Sequence, residues 1–266
     1  MSKRIAAVIF AAGLASTPAQ AFDILALKVL GFSSDGRYFA FMQYGPQWDA
    51  GKLFAETYVI DASTDRYVSG VPVRVSNDMK EDADSDKIEP EIRAFLDGVG
   101  KRITSLIGQH KIGKPGAVLA SVADVRVGDY EHTADKPPPP SGATELTAKH
   151  PQLGELKFKL EAKQFPWPRS SRLYEGKKAP TCAKEVEGQG AAFRLTLERS
   201  GRSIVLQDDK TVPASRNCVS DYGIAEVHAF DRPDGRVTLA VILGMKARGF
   251  EGSDRLFLAV TRVLDR

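Results

Sequence analysis

Alternating carboxylates at Asp82, Asp84 and Asp86 have the spacing in this sequence that is closest to a metal site. Carboxylates at every second position are typical of the first half of a calcium-binding loop between two helices. Such a loop has a glycine at its sixth position and a glutamate at its twelfth, but Lys87 and Arg93 occupy these positions. The helix-loop-helix calcium motif therefore fails. The three carboxylates then either solvate a loop before a helix or form a looser calcium site. We predict no metal and no cofactor.

The chain has two cysteines, Cys182 and Cys218. In an exported protein, an isolated pair most simply forms one disulfide bond. The alternative is two free thiols that bind a metal or undergo redox chemistry, but the C-x-x-C spacing typical of that chemistry is absent. We therefore predict a disulfide bond between Cys182 and Cys218.

The sequence contains no motif for catalysis. It lacks the phosphate-binding loop, the dinucleotide glycine pattern, H-E-x-x-H and G-x-S-x-G. The histidines are scattered without ligand spacing, and His228 lies in a predicted strand, where a structural histidine is commoner than a catalytic one. We predict no catalytic residue. A hydrolase stays open as an alternative, because a sequence does not show which of its many carboxylates face each other.

Aromatic side chains in predicted loops are the candidate ligand contacts. Trp48 follows a predicted strand, Trp167 lies in a Pro-Trp-Pro sequence, and Tyr44 begins a Tyr-Gly-Pro sequence. Loop aromatics stack on sugars or peptides in some proteins and cover the edge of a core in others. We predict these three residues as ligand contacts, and an envelope protein, a peptide or a glycan as the partner.

Residues 1–21 have the pattern of a secretory signal peptide. Lys3 and Arg4 form its positive start, residues 5–15 are uncharged and mostly apolar, and Ala-Gln-Ala at 19–21 fits a cleavage site. The apolar run is shorter than the roughly twenty residues of a spanning helix, which disfavours an uncleaved anchor. We predict a periplasmic or secreted protein with no transmembrane segment after cleavage.

The charge of the mature chain disfavours nucleic acid as a partner. The full chain has 37 Lys and Arg residues against 34 Asp and Glu residues. Two of the basic residues, Lys3 and Arg4, belong to the signal peptide, so the mature protein is nearly neutral. A nearly neutral chain without a basic cluster lacks the electrostatic surface that a phosphate backbone requires.

Residues 31–69 combine turn signals with aromatic and β-branched runs. Ser-Asp-Gly at 34–36 favours a turn, and residues 37–42 and 57–60 favour strands. Tyr-Gly-Pro at 44–46 predicts a break, because proline removes a donor from the strand ladder. An antiparallel meander is one interpretation. Residues 32–61 also resemble a single blade of the periplasmic TolB-like β-propellers, which implies a propeller-like sheet.

Residues 88–106 have the periodicity of an amphipathic helix. Apolar residues recur at spacings of three and four, which places them on one face. Pro90 suits the first turn and Gly113 suits the end. Because glycines weaken the helix, we expect it to pack against a sheet. The apolar stripe comprises Ile88, Ile92, Phe95, Val99, Ile103 and Leu106.

The second half of the chain favours antiparallel strands. Apolar and charged residues alternate at 156–160 and 193–197, and further strands are predicted over 224–230, 236–243 and 256–263. The predicted fold is mainly β, with antiparallel sheets in a sandwich, partial barrel or propeller-like arrangement and one amphipathic helix. The predicted parts are the signal peptide (1–21), an N-terminal β-meander plus helix (22–135), a proline-rich linker or loop (136–142) and a C-terminal antiparallel β part (143–266).

Three segments resemble a family of predicted secreted bacterial proteins of unknown function. They are FSSDGRYFAFMQYG with ETYVID (residues 32–61), Cys218 with the following DYGI (221–224), and GFEGSDRLFLAVT (249–261). The resemblance spans nearly all of the mature chain and implies export and a β-rich domain. It supplies no catalytic residues.

Two functions follow as hypotheses. The first is a non-enzymatic binding or envelope-interaction module, which predicts an exposed apolar or aromatic patch on the order of several hundred Å². The second is a hydrolase acting on an envelope polymer, which predicts a deep cleft with two facing carboxylates, or with a carboxylate and a histidine.

Overall fold

The computed structural model describes residues 25–48, 50–80, 88–122, 142–166, 173–174, 177–178, 190–213, 216, 219–248 and 253–266. These residues form one α-helix, α1 (Ile88–Gln109), and a series of strands. In chain order the strands are β1 (Ala26–Ser33), β2 (Tyr38–Gln47), β3 (Lys52–Asp61), β4 (Arg66–Tyr67), β5 (Val73–Asp78), β6 (Ile112–Lys114), β7 (Ala117–Ser121), β8 (Glu145–His150), β9 (Gly154–Phe165), β10 (Leu173–Tyr174), β11 (Lys177–Lys178), β12 (Gly190–Arg199), β13 (Arg202–Asp208), β14 (Val219–Asp231), β15 (Val237–Arg248) and β16 (Ser253–Leu264).

Three open antiparallel sheets and α1 build the described part of the molecule. The first sheet has the strand order β4-β3-β2-β1-β6, and β5 also pairs with β3. The central sheet has the order β16-β15-β14-β7, and the outer sheet has the order β13-β12-β9-β8. The short strands β10 and β11 pair with each other. The sheets stack face to face, which confirms the predicted mainly β fold of sandwich-like sheets with one helix.

The central sheet is buried on both faces because it lies between the other two sheets. On β15, Leu239, Val241 and Leu243 pack toward the outer sheet, whereas Ala240 and Ile242 pack toward the first sheet. A strand that is buried on both sides carries a continuous apolar run instead of an alternating pattern. The double burial therefore explains the apolar run at residues 237–245.

Helix α1 covers the face of the first sheet that points away from the central sheet. The predicted apolar stripe is confirmed, since Ile88, Ile92, Phe95, Val99 and Ile103 are buried against residues of β2, β3 and β5. The helix thus gains its stability from the sheet, as its glycines predict. Within the described residues, no helix has the length and apolar character of a membrane span.

The predicted break at Tyr-Gly-Pro is wrong, because β2 continues through this segment to Gln47. Pro46 pairs with Leu53 on β3. Strand β1 accompanies β2 only as far as Tyr44, so beyond that point one side of β2 has no partner strand among the described residues. A proline is tolerated there because its missing N–H leaves no ladder bond unmade.

Both halves of the chain contribute to the central sheet. Strand β7 precedes the proline-rich segment and pairs with β14, which follows that segment. The segment itself lies outside the described residues except for Gly142, and the domain boundary there stays a prediction. The signal peptide and the carboxylates Asp82, Asp84 and Asp86 also lie outside the described residues and stay predictions.

Candidate functional site

A row of polar side chains crosses the buried face of the first sheet. Gln43 on β2, Glu56 on β3 and Arg74 on β5 are direct cross-strand neighbours. Gln43 and Glu56 are buried, whereas the Arg74 side chain is 51% exposed. The next residues on this face, such as Phe41 and Ile60, belong to the apolar core between the first and central sheets. Buried polar groups in such surroundings cost stability unless they are hydrogen-bonded.

The Glu56 carboxylate is the hub of this row. Its Oε2 accepts hydrogen bonds from Gln43 Nε2 at 2.7 Å and from Tyr58 Oη at 2.5 Å. Its Oε1 accepts from Arg74 Nε at 2.5 Å. Three donors, one of them charged, therefore satisfy both oxygens and fix the orientation of the carboxylate.

Two tyrosines, Tyr58 and Tyr67, connect Glu56 to the protein surface. The Tyr58 ring stacks on Phe41 at a centroid distance of 4.9 Å and contacts Tyr67 at 5.3 Å. Tyr67, on the two-residue strand β4, is 48% exposed. Burial, together with the adjacent Glu56 carboxylate, raises the pKa of Tyr58 well above its ordinary value. The Tyr58 phenol therefore keeps its proton and serves as a donor.

We call Gln43, Glu56, Tyr58, Tyr67 and Arg74 the Glu56 site. It presents a guanidinium and a phenol ring at the surface, and both are backed by a hydrogen-bonded interior. Gln43 also accepts a hydrogen bond from the backbone N–H of residue 257 on β16, at 2.7 Å, so the site is tied to the edge of the central sheet. Such a supporting layer holds surface groups in one geometry, which is what a binding site needs.

A second buried polar pair lies between the first and central sheets. His228 Nε2 and Glu226 Oε2 on β14 are 2.6 Å apart, and both residues are 1% exposed. A register shift between Ile224 and Glu226 turns the pair toward the first sheet, where the His228 ring lies 6.1 Å from that of Phe39. An imidazole that is hydrogen-bonded to a carboxylate can act as a general base in catalysis. This pair is enclosed by the two sheets, so we assign it a structural role.

A third polar cluster fixes the segment that leads into β14. Arg216 pairs with the buried Asp209, and Asp209 also accepts from the backbone N–H of Phe193 at 3.2 Å. The Arg216 guanidinium lies 4.6 Å from the Phe193 ring centroid, and it donates to Tyr222 Oη at 3.3 Å. Every charged member of this cluster is engaged within the protein, which again indicates a structural role.

A shallow basin of about 560 Å³ lies on the outer sheet beside the β8–β9 and β12–β13 turns. Its lining includes Glu155, Lys157, Glu198, Arg199 and Arg202, and therefore carries both signs of charge. Lys157 pairs with Glu155 at 3.3 Å, and Arg199 donates to backbone carbonyl oxygens. The side chains of Lys157 and Glu155 are both at least half exposed, so the basin is a solvated, charged surface. An ion pair this exposed contributes little to stability.

Tyr44 and Trp48, which the sequence predicts as ligand contacts, lie on the other face of the first sheet. Both are half-buried and pack against the cluster around α1. Burial raises the pKa of Tyr44. The third predicted contact, Trp167, and both cysteines lie outside the described residues, so the Trp167 contact and the disulfide stay predictions.

The expected apolar patch does not form within the described residues. The strongly exposed large apolar side chains there are Tyr67, Val118 and Val205. They stand on β4, β7 and β13, which belong to three different sheets. In the described part of the chain, no group of three or more His, Cys, Asp or Glu side chains is arranged to hold a metal ion.

Sequence reasoning missed every residue of the Glu56 site. The local signal is that Gln43 and Glu56 follow or precede apolar and aromatic residues on the same face of their strands, such as Phe41 and Tyr58. Their contact depends on the register of β2, β3 and β5, which joins residues 13 and 18 positions apart. Register follows from the whole sheet and is not visible in a single strand.

No curated protein and no solved structure matches this chain. A family model does match, over residues 40–262. This range includes β3, α1 and nearly all of the central and outer sheets. The description of this family as secreted agrees with the export predicted from the signal-peptide pattern of residues 1–21. The chain belongs to the family described as predicted secreted protein (DUF2259).

Proposed function

We propose that this protein is a non-enzymatic binding module that acts outside the cytoplasm, in the cell envelope, and that it binds through the Glu56 site. The observation that carries the proposal is the buried Glu56 carboxylate, which holds the half-exposed Arg74 side chain on one oxygen and, on the other, the hydroxyl of Tyr58, whose ring contacts that of the exposed Tyr67. Arginine and tyrosine are the side chains that most often dominate binding energy. Their support from buried partners reduces the entropy lost when a ligand binds.

The state of the carboxylates supports binding over catalysis. A general acid or base must reach the substrate, and a nucleophilic carboxylate must present a free oxygen. Both oxygens of Glu56 accept hydrogen bonds within the protein, and Glu226 and His228 are enclosed between two sheets. These groups therefore serve better as supports than as reactants.

A hydrolase acting on an envelope polymer is the second candidate, and one observation favours it. Glu155 and Glu198 line the same basin on the outer sheet. A pair of carboxylates on one concave surface is the arrangement that glycoside hydrolysis uses. The Glu155 carboxylate forms an exposed ion pair with the Lys157 ammonium at 3.3 Å.

The test uses the exported, processed protein and isolated cell-wall and outer-membrane fractions. We expect Tyr67→Ala and Arg74→Gln to weaken cosedimentation with one of these fractions by at least about tenfold, with no soluble fragments released. Arg93→Gln on the exposed face of α1 is the matched control and should bind like the wild type.

Two results would count against the proposal. One is retention of full binding by both site variants. The other is release of soluble fragments that stops in Glu155→Gln or Glu198→Gln, because that result would establish the hydrolase.

A further inference from the structure

We infer that the ligand of the Glu56 site is a saccharide, whose ring stacks on Tyr67 while one of its oxygen atoms accepts hydrogen bonds from Arg74. This inference rests on the proposed function and names the class of ligand. The structure supplies its two parts, an aromatic face on β4 and a set of donors on β5, and both strands pair with β3, at residues 60–61 and 52–57 respectively.

The aromatic face belongs to Tyr67. Its ring is 48% exposed and is held from behind by Tyr58, whose own ring stacks on Phe41 in the core. A ring supported in this way loses little conformational entropy on binding, since a tyrosine side chain has only two torsions. The C–H groups on one face of a sugar ring suit the electron-rich face of an aromatic ring.

The donors belong to the Arg74 guanidinium. Within the described part of the chain, its Nε is engaged by Glu56, while the side chain stays 51% exposed. The terminal nitrogens make no hydrogen bond to the described residues, so their N–H groups can serve a ligand. An arginine has no acceptor, so the complementary ligand atom is an oxygen with lone pairs.

The charges of Arg74 and Glu56 bear on whether the saccharide is neutral or acidic. The Glu56 carboxylate offsets the charge of Arg74, so the site offers directed donors without a large positive potential. A hydroxyl oxygen of a neutral sugar and a carboxylate of an acidic sugar both satisfy these donors. The shared chemistry is an oxygen acceptor on a sugar ring, and the experiment separates the two kinds of sugar.

A peptide fits the site less well. Peptide recognition takes its specificity from apolar pockets for side chains, or its affinity from an open sheet edge. Among the described residues, the large exposed apolar side chains other than Tyr67 stand on the central and outer sheets, away from this site. At the nearest edge of the central sheet, the N–H groups of residues 257 and 261 already bond to side chains of the first sheet.

The experiment measures binding of two oligosaccharide probes to the processed protein by titration calorimetry. One probe is chitotetraose, which is neutral, and the other is tetragalacturonate, which is acidic. We expect one of them to bind, and Tyr67→Ala to weaken that binding by at least about tenfold. Tyr67→Phe should retain most of the affinity because it keeps the ring. Arg74→Gln should weaken the acidic probe more than the neutral one, since it removes the charge but keeps a donor.

Two control variants, Val205→Ala on the outer sheet and Arg93→Gln on α1, should bind like the wild type. The inference is overturned if neither probe binds, or if Tyr67→Ala binds as tightly as the wild type. It is also overturned if the Tyr67-dependent binding to envelope fractions disappears after protease treatment of the fraction, which would identify a protein ligand. In that last case the proposed binding function would stand, whereas loss of all Tyr67-dependent binding would remove both.

Discussion

Asp65 closes the edge of the central sheet with its side chain. It stands in the β3–β4 turn with a positive φ of 52°, and its Oδ1 accepts hydrogen bonds from the N–H and the hydroxyl of Thr261 at 2.7 and 2.8 Å. Among the strands that the structure describes, β16 lies at the edge of its sheet, and an open edge invites pairing with another chain. Burial raises the pKa of Asp65, although both Thr261 bonds and the nearby Arg262 oppose that change.

The raised pKa predicts how Asp65→Asn changes the pH dependence of stability. A carboxyl with a higher pKa in the folded state binds its proton more tightly there than in the unfolded chain. Its contribution is fully present below the unfolded pKa of about 3.9 and is lost as the pH rises through the folded pKa. The wild type should therefore exceed Asp65→Asn in free energy of unfolding by more at pH 4 than at pH 7. Urea unfolding of both proteins at the two pH values measures this difference.

Asp234 provides a control of opposite sign. Its hydrogen bonds with Arg236 lower its pKa to about 2. A lowered pKa contributes stability above the unfolded pKa and loses it as the pH falls, so the wild type should exceed Asp234→Asn by more at pH 7 than at pH 4. An equal difference at both pH values for Asp65→Asn would contradict the assignment of a raised pKa to Asp65.

At the scale of the elements, the sequence predicts what depends on local periodicity. Helix α1 was predictable because spacings of three and four define a helical face, and Ile88, Phe95 and Ile103 are indeed buried. The alternation at 156–160 and 193–197 likewise predicts β9 and β12, whose apolar sides pack on the central sheet. Each of these patterns lies within a single segment, so the helix or strand can be predicted without knowing which element packs against it.

Features that depend on another strand were not predictable. Strand β8 begins only two residues after the proline-rich segment, and β4 has two residues, too few for a pattern. The continuation of β2 through Pro46 depends on where β1 ends. The Glu56 site depends on the register of three strands. The candidate site was missed for the same physical reason as the strand ends, since both are set by pairing and not by propensity.

The glycines of α1 give a prediction at this scale. Gly98 is exposed in the middle of the helix, and an added Cβ would meet no atom within 4 Å. Gly98→Ala should therefore raise the free energy of unfolding by about 0.5–1 kcal/mol, because alanine loses less backbone entropy on folding. Phe95→Ala, three residues earlier on the buried face, should lower it by about 3–5 kcal/mol. Urea unfolding of both variants checks the pair, and a destabilised Gly98→Ala would show that the helix is not regular at that point.

At the scale of the whole molecule, the central sheet joins all layers. Its two faces supply the cores toward the first and the outer sheet, and α1 is attached through the first sheet. The chain leaves the central sheet with β7 and enters the outer sheet with β8. At the described end of this crossing, residues 142–144, Ala143 forms an antiparallel bridge with Ile224, so the crossing is hydrogen-bonded to β14.

The crossing depends on two glycines that touch. A Cβ on Gly223 would lie 2.5 Å from the backbone nitrogen and 2.6 Å from the Cα of Gly142, distances that no relaxed structure contains. The Gly223 position faces backbone and not a flexible side chain, so only separation of β14 from the 142–144 segment relieves the overlap. Such overpacking typically costs about 1–3 kcal/mol and occasionally more.

Gly223→Ala should therefore lower the unfolding midpoint of the whole described body, and not only of one sheet. In a Trp167→Phe background, the fluorescence of Trp48, which packs in the cluster around α1, reports on the first sheet, whereas far-ultraviolet circular dichroism reports on the strands of all sheets. If the central sheet couples the layers, both signals should shift together and by the same amount, because a cooperative body unfolds in one transition. Gly98→Ala serves as the control, since it adds the same methyl group without a contact. A Gly223→Ala variant whose fluorescence transition stays at the wild-type midpoint, while the dichroism transition moves, would show that the first sheet and α1 fold independently of the crossing.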